Sequence, residues 1–285
     1  MSVALGTTNV LVRRFDPRRT LELIAAHRCT TVVLVPTMLG RLLALGPDEL
    51  GRHDTSSVSV IFCAGSALPI AVAEQAMKTF GPVVYNLYGA SEVGVAAVAT
   101  PADLRAAPGT VGRPPATAVV RLYDEDDHRI EEPDRTGTVY VGGLLSFAGY
   151  SGGGHKKSLD GLLSSGDIGH WDADGRLFID GRDDDMIVSG GENVFPGEID
   201  ELLYAHPQID EAAIVPVPDA DFGQRLAAYV ILRPDATIGA GDVRDYVRAG
   251  LSRYKVPREV VLVDELPRTP SGKLLRRNLI DPVNE

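Results

Sequence analysis

Val58-Ser-Val-Ile-Phe62, then Pro69-Ile-Ala-Val-Ala-Glu-Gln-Ala-Met-Lys-Thr-Phe80, then Val83-Val-Tyr-Asn-Leu87 is the stretch that decides the fold. The outer runs are short and apolar, as buried strands are. The middle run reads as a helix. A strand–helix–strand unit of this length predicts a sheet covered by helices. Upstream the alternation continues. Asn9–Val12 reads as a short strand, and Asp16-Pro17 as an N-cap with proline at the first helical position, opening a helix to about His27. Thr31–Val35 is a β-branched run and hence a buried strand, and about Thr37–Leu45 is a helix.

After Tyr88 glycine and proline become dense. Short strands at about Val119–Tyr123, Gly137–Val141 and Leu177–Asp180 predict a small irregular β unit, with Ser151-Gly-Gly-Gly-His155 as a surface loop. A third texture begins near Asp183: a strand at Met186–Ser189, a helix at Pro196–Tyr204, strands at Ala212–Val217 and Leu226–Leu232, a helix at Val243–Leu251 and a strand at Val260–Val263. The expected fold is α/β. A large domain over residues 1–182, a helix-covered sheet plus the irregular β unit, is followed by a small α+β domain over residues 183–285. The charged segment Arg182-Asp-Asp-Asp185 joins them.

Composition narrows the function. In 285 residues, 28 Lys+Arg face 39 Asp+Glu, a net charge of -11. Such a field repels phosphate backbones and anionic lipid, so neither nucleic acid nor a membrane surface is the expected general partner. A local anion site remains compatible with it. The two cysteines, Cys29 and Cys63, lie in apolar stretches and make no disulfide framework. The residues from Met1 to Thr8 lack the pattern of a signal peptide. The longest apolar run, Thr31 to Leu39, is interrupted by Pro36 and Thr37, so no integral membrane segment is expected. The expected location is the cytoplasm. The six histidines are dispersed, with no metal-binding spacing.

Four stretches carry groups suited to chemistry. Asn86-Leu-Tyr-Gly-Ala-Ser-Glu92 follows a buried strand, which places polar groups at the carboxyl edge of a sheet, where ligands bind in open α/β folds. Tyr88 offers an aromatic face, Ser91 a hydroxyl for a phosphate and Glu92 a hard oxygen for Mg²⁺. Leu163-Ser-Ser-Gly-Asp-Ile-Gly169 and Ile179-Asp-Gly-Arg182 read as two turns; Asp167 suits sugar hydroxyls, and Arg182 suits either assisting there or orienting a phosphate. Leu266-Pro-Arg-Thr-Pro-Ser-Gly-Lys273 is a loop that can deliver a lysine to developing charge. Each stretch alone reads more readily as turn or surface chemistry than as a site. Ser151-Gly-Gly-Gly-His-Lys-Lys157 is no Walker loop, because Lys156 rather than glycine precedes Lys157-Ser158.

Taken in order, these pieces resemble the adenylate-forming acyl-CoA synthetases, and most closely the bacterial fatty-acyl-CoA ligases. Tyr88-Gly-Ala-Ser-Glu92 resembles the family's Tyr-Gly-x-Thr-Glu box, and Ala64-Gly65-Ser66 its Gly-Gly-Ala strip. Ser165-Gly-Asp167 resembles its Thr-Gly-Asp box. Gly181-Arg-Asp-Asp184 with Ser189-Gly190-Gly191 is similar to its hinge and tunnel segment. Pro267 to Gly272-Lys273 is similar to its C-terminal lysine box. Ser91 and Ser165 replace threonine, Asp184 stands where close relatives often carry lysine, and Thr138 where glutamate is usual. The family's Ser/Thr/Gly-rich phosphate loop, upstream in its members, has no match here.

The resemblance implies a two-step reaction: a carboxylate attacks the α-phosphate of Mg·ATP, and coenzyme A thiol then displaces AMP. It implies Lys273, Glu92 and Ser91 as catalytic groups, with Glu92 holding Mg²⁺. It places AMP or ATP against Ala64, Gly65, Ser66, Asn86, Leu87, Tyr88, Gly89, Ala90, Ser91, Asp167, Arg182 and Lys273. Asp184 would be the hinge, and Gly190 and Gly191 the passage for coenzyme A. Only Thr37, Met38 and the neighbourhoods Ala64–Ser66 and Leu87–Val93 would line an acyl pocket, and they suit an aliphatic tail. The absent phosphate loop predicts an upstream half chain or self-association. The alternative is a non-catalytic remnant, or half of a split enzyme, that at most binds AMP or acyl-AMP. A carrier-protein thiol in place of coenzyme A also stays open.

Overall fold

A computed structural model describes residues 6–151, 156–183, 185–189, 192–219, 223–269 and 274–280. Among these the strands form three sheets. The first is built around the stretch quoted above. Helix α1 (Pro17–His27) starts as its sequence dictates: the Asp16 carboxylate accepts the Arg19 N–H at 2.8 Å, Pro17 occupies the first turn, and Leu21 and Ile24 are buried. Strand β1 (Thr31–Leu34), helices α2 (Pro36–Leu43) and α3 (Pro47–Leu50), strand β2 (Val60–Cys63), helix α4 (Ile70–Phe80) and strand β3 (Val84–Ala90) follow. The three strands pair in parallel and in order. Their core includes Leu34, Leu39, Leu42, Ile61, Cys63, Ala76 and Val84. Strand β4 (Gly94–Ala99) returns antiparallel beside β3, and the three-residue turn 91–93 joins them. Helix α5 (Pro101–Ala106) opens with a reciprocal Thr100–Asp103 capping box.

The expected strand at Asn9–Val12 is absent. These residues lie outside any strand and Leu11 is 91% exposed, because an extended segment without a partner ladder has nothing to pair its backbone.

The second sheet contains β5 (Ala118–Tyr123), β6 (Arg129–Ile130), β7 (Gly137–Gly143), β8 (Ser158–Leu159), β9 (Leu162–Trp171) and β10 (Leu177–Arg182), ordered β10-β9-β7-β5-β6 with β8 on β9. Here a second expectation is corrected. Leu163–Gly169 and Ile179–Arg182 are not turns but the paired bodies of β9 and β10, with Asp167 opposite Arg182. Their Ser, Gly and Asp content lowers local strand propensity, and pairing with β7 and with each other overrides it. The two sheets are stitched together by Thr110, which is fully buried; its hydroxyl donates to the Leu177 carbonyl at 2.8 Å.

The third sheet comprises β11 (Ile187–Ser189), β12 (Glu192–Val194), β13 (Ile209–Asp219), β14 (Gly223–Leu232) and β15 (Glu259–Leu262), with helices α6 (Pro196–Tyr204) and α7 (Ala240–Gly250) packed on it. Its core, from Ile187 and Ile199 to Val243 and Val247, is separate from the other clusters. The change of sheet falls between Arg182 and Ile187, within the charged segment. A short helix α8 (Arg277–Ile280) ends the described chain. No helix among the described residues is long and apolar enough to cross a membrane.

Candidate functional site

The site forms where the ends of the first sheet meet β9 and β10. Strand β3 delivers Tyr88, and the turn after it delivers Ser91, which is exposed, and Glu92. Ala64, Gly65 and Ser66 leave the carboxyl end of β2, the strand next to β3, with Gly65 and Ser66 exposed. Asn86 is 5% exposed and its side-chain amide donates to the Thr110 carbonyl at 3.3 Å, so it braces β3 from within. Leu87, Gly89 and Ala90 lie along the same strand in register with β4.

Asp167 reaches this point from the second sheet. Gly166 before it has φ +82°, a left-handed conformation that glycine adopts without strain. The turn of backbone is fixed on both sides. The Ser165 hydroxyl donates to the Val139 carbonyl at 3.0 Å and accepts the Asp167 N–H at 3.1 Å, while Asp183 N–H reaches the Gly166 carbonyl at 3.0 Å. The Asp167 carboxylate then accepts the Tyr88 hydroxyl, 79 residues away, and lies 3.4 Å from the Arg182 guanidinium. Burial, and then the Asp167 charge, push the Tyr88 phenol above its ordinary range, so it remains a donor.

Glu92 is held in a different way. The Tyr150 hydroxyl donates to its carboxylate at 2.9 Å, the Phe147 N–H donates to its carbonyl at 2.8 Å, and Lys156 Nζ stands 4.0 Å away. The Tyr150 hydroxyl and Glu92's own amide hold the carboxyl below the usual range, with Lys156 and Arg182 acting in the same direction. Lys156 also donates to the Ser165 carbonyl at 3.1 Å, tying the two acidic groups into one network.

The arrangement therefore gathers Tyr88, Glu92, Asp167 and Arg182, which sequence reasoning chose from three separate stretches. It adds Tyr150 and Lys156, which sequence reasoning passed over. Lys156 lies in the stretch Ser151–Lys157, which is no Walker loop, and Tyr150, just before that stretch, carries no signal. Lys273, Asp184, Gly190 and Gly191 lie outside the described residues. Among the described residues no His, Cys, Asp or Glu group could hold a metal unaided. Magnesium needs no such cage: it keeps several waters and takes one or two carboxylates together with substrate phosphates. An ionised Glu92 on a turn beside the Ser91 hydroxyl fits that donor set.

Comparison with known proteins identifies the family. A family model described as "AMP-binding enzyme" matches residues 1–151, and one described as "AMP-binding enzyme C-terminal domain" matches residues 198–273. The chain is 32% identical over 287 residues to the long-chain-fatty-acid–CoA ligase of Bacillus subtilis, covering 100% of this chain and 51% of that protein. It is 34% identical over 277 residues to the indoleacetate–CoA ligase of Aromatoleum aromaticum, covering 96% and 54%. The structure of the amide bond synthetase McbA from Marinactinospora thermotolerans superposes with a TM-score of 0.91 at 31% identity, over 99% of this chain and 58% of that one. The chain thus spans about half the length of the relatives it matches.

Proposed function

The chain belongs to the family of AMP-binding enzymes, and on that premise we propose that it carries the acyl-adenylate site of an acid–thiol ligase. The substrate acid is aliphatic, and fatty in kind. Its carboxylate oxygen attacks the α-phosphorus of ATP, the bond to the bridging oxygen breaks, and pyrophosphate leaves. The thiol sulfur of coenzyme A then attacks the acyl carbon, AMP leaves, and the thiol proton passes to solvent. The observation that carries this reading is the Tyr88–Asp167 hydrogen bond, with Arg182 beside it. It joins an aromatic face for a base, a carboxylate for ribose hydroxyls and a cation for a phosphate within one network.

In this reading Tyr88 packs against adenine beside Ala64, Gly65 and Ser66, and the Asp167 carboxylate accepts the ribose hydroxyls. Ser91 donates to the α-phosphate. Glu92 holds Mg²⁺, which neutralises phosphate charge when bound. Lys273 brings positive charge to the α-phosphate and incoming carboxylate, where charge grows in the transition state. Residues 1–182 belong to the larger unit and residues 183–285 to a smaller one that turns about Asp184; Gly190 and Gly191 leave room for the pantetheine arm. Similarity to a long-chain-fatty-acid–CoA ligase supports the acid, and similarity to CoA ligases supports the thiol.

The test is carboxylate-dependent ATP–pyrophosphate exchange by this chain, alone and mixed with a polypeptide supplying the half that the relatives possess and this chain does not span. Exchange driven by fatty acids is expected in the mixture. Exchange with indoleacetate alone would replace the acid. AMP binding without exchange would leave a non-catalytic, nucleotide-holding half. Acyl transfer to an amine but not to coenzyme A would replace the acceptor.

A further inference from the structure

The segment 144–150, which follows β7, holds the turn that carries Glu92. It closes on itself first. Ser146 N–H donates to the Gly143 carbonyl at 3.2 Å, and Gly143 N–H donates to the Ser146 hydroxyl at 3.1 Å. It then clasps the turn: Leu145 lies over Gly94, where an added Cβ would come within 2.9 Å of its side chain. Phe147 N–H takes the Glu92 carbonyl. Gly149, at φ +145°, adopts a backbone conformation that side-chain-bearing residues rarely reach. The next residue, Tyr150, packs its ring edge-to-face on Phe147 at 4.8 Å, and its hydroxyl meets Glu92 Oε1 at 2.9 Å.

The ring of Tyr150 is half open to solvent, at 46% exposure, so burial is not what keeps it there. Among the described residues it meets the Phe147 ring and the Glu92 carboxylate. A glutamate on an exposed turn samples several rotamers, and binding a cation would have to freeze them. A phenol donating to one oxygen fixes that rotamer beforehand.

We infer that Tyr150 is a positioning residue for the divalent cation of the adenylation site, acting through the Glu92 carboxylate. The inference rests on the proposed role of Glu92 and goes beyond it. It assigns the loop 144–150 a function, and it makes cation affinity depend on a hydroxyl that never touches the cation.

The experiment measures Mn²⁺ binding to the full chain in the presence of ATP by electron paramagnetic resonance, for the parent, Tyr150→Phe, Glu92→Gln and the double variant. Tyr150→Phe keeps the ring on Phe147 and removes only the hydroxyl. It is expected to weaken Mn²⁺ binding about 5–10-fold, within the net effect of one hydrogen bond. In the Glu92→Gln background the same change should add nothing, because residues acting through one another are not additive. Unchanged affinity in Tyr150→Phe, or an equal further loss in the double variant, overturns the inference while leaving Glu92 in place. Unchanged affinity in Glu92→Gln removes the cation from Glu92 and takes the inference with it. The melting temperature of Tyr150→Phe should stay within a degree or two of the parent, since a single exposed hydroxyl contributes little to stability.

Discussion

The Glu201 carboxylate accepts a 2.7 Å hydrogen bond from the backbone N–H of Ile70, 131 residues earlier in the chain. Ile70 is the first residue of α4, and Pro69 before it offers no side-chain cap. The opening N–H groups of a helix lack partners within it and carry partial positive charge. A carboxylate from α6, on the far side of the charged 183–185 segment, supplies one. The cap therefore also serves as a clasp between elements of the first and third sheets. A second contact across the charged segment is Phe195 over Gly181, where an added Cβ would lie 2.6 Å from the ring.

Removing the clasp should loosen one sheet assembly from the other without unfolding either. A lost helix cap costs about 0.5–2 kcal/mol. Glu201→Ala is expected to raise the rate of limited proteolysis at residues 183–185 by roughly 5–30-fold, the factor that one or two kcal/mol supplies. The C-terminal fragment should survive. Cleavage moving into Ala212–Leu232 instead would mean that the third sheet does not stand as a unit.

Asp200 gives a pH signature. It is buried, pairs with Arg276, and accepts the Ile214 N–H at 2.9 Å. Burial pushes its carboxyl up to about 6, although Arg276 and the Ile214 N–H act the other way. An unfolded aspartate titrates near 3.9. A raised folded pKa means that the stabilising effect of the bound proton is complete below about 3.9 and is lost as pH rises through about 6. Urea denaturation followed from pH 4 to 7 should show a fall on the order of 2–3 kcal/mol. Asp200→Asn, which mimics the protonated carboxyl, should be flatter with pH. A slope as steep as the parent's would assign the titration elsewhere.

Cys63 should be chemically silent. It is fully buried at the end of β2, and burial pushes its thiol up to about 12. At pH 8 that leaves a thiolate fraction of about 10⁻⁴, and the thiolate is the reactive form. Mass spectrometry after iodoacetamide treatment of the native chain should find Cys63 unmodified, and modified once urea is added. Rapid native alkylation would mean that the α4 side of the first sheet opens readily.

The role proposed for Lys273 separates the two half-reactions. With a polypeptide supplying the half that the relatives possess, Lys273→Ala is expected to slow adenylation by about 10²–10³, the usual scale for one preorganised electrostatic group. On the proposed mechanism thioester formation from pre-made acyl-AMP should fall far less, because the smaller unit would by then have turned and carried the lysine away. Equal losses in both half-reactions, or none in either, would take Lys273 off the catalytic list.

Local pattern settled much of this protein before any contact was known. The strand–helix–strand stretch from Val58 to Leu87 and the helix Pro196–Tyr204 are legible because apolar periodicity, proline starts and β-branched runs act over a few residues. The family boxes are legible because their residue types and order are preserved. Strand β4, Gly-Val-Ala-Ala-Val-Ala, was not legible, since alanine and glycine carry weak strand preference and its register comes from β3. Nor was β9, whose serines, glycines and aspartate read locally as a turn, whereas β10 was legible over Leu177–Asp180 but not at its Gly181-Arg182 end. The contacts Tyr88–Asp167, Tyr150–Glu92 and Glu201–Ile70 span 79, 58 and 131 residues. No periodicity reaches across such distances. Sequence determined which residues carry phenol, carboxylate and guanidinium; only the packing of sheet against sheet decided which of them meet, because a hydrogen bond depends on separation in space and not along the chain.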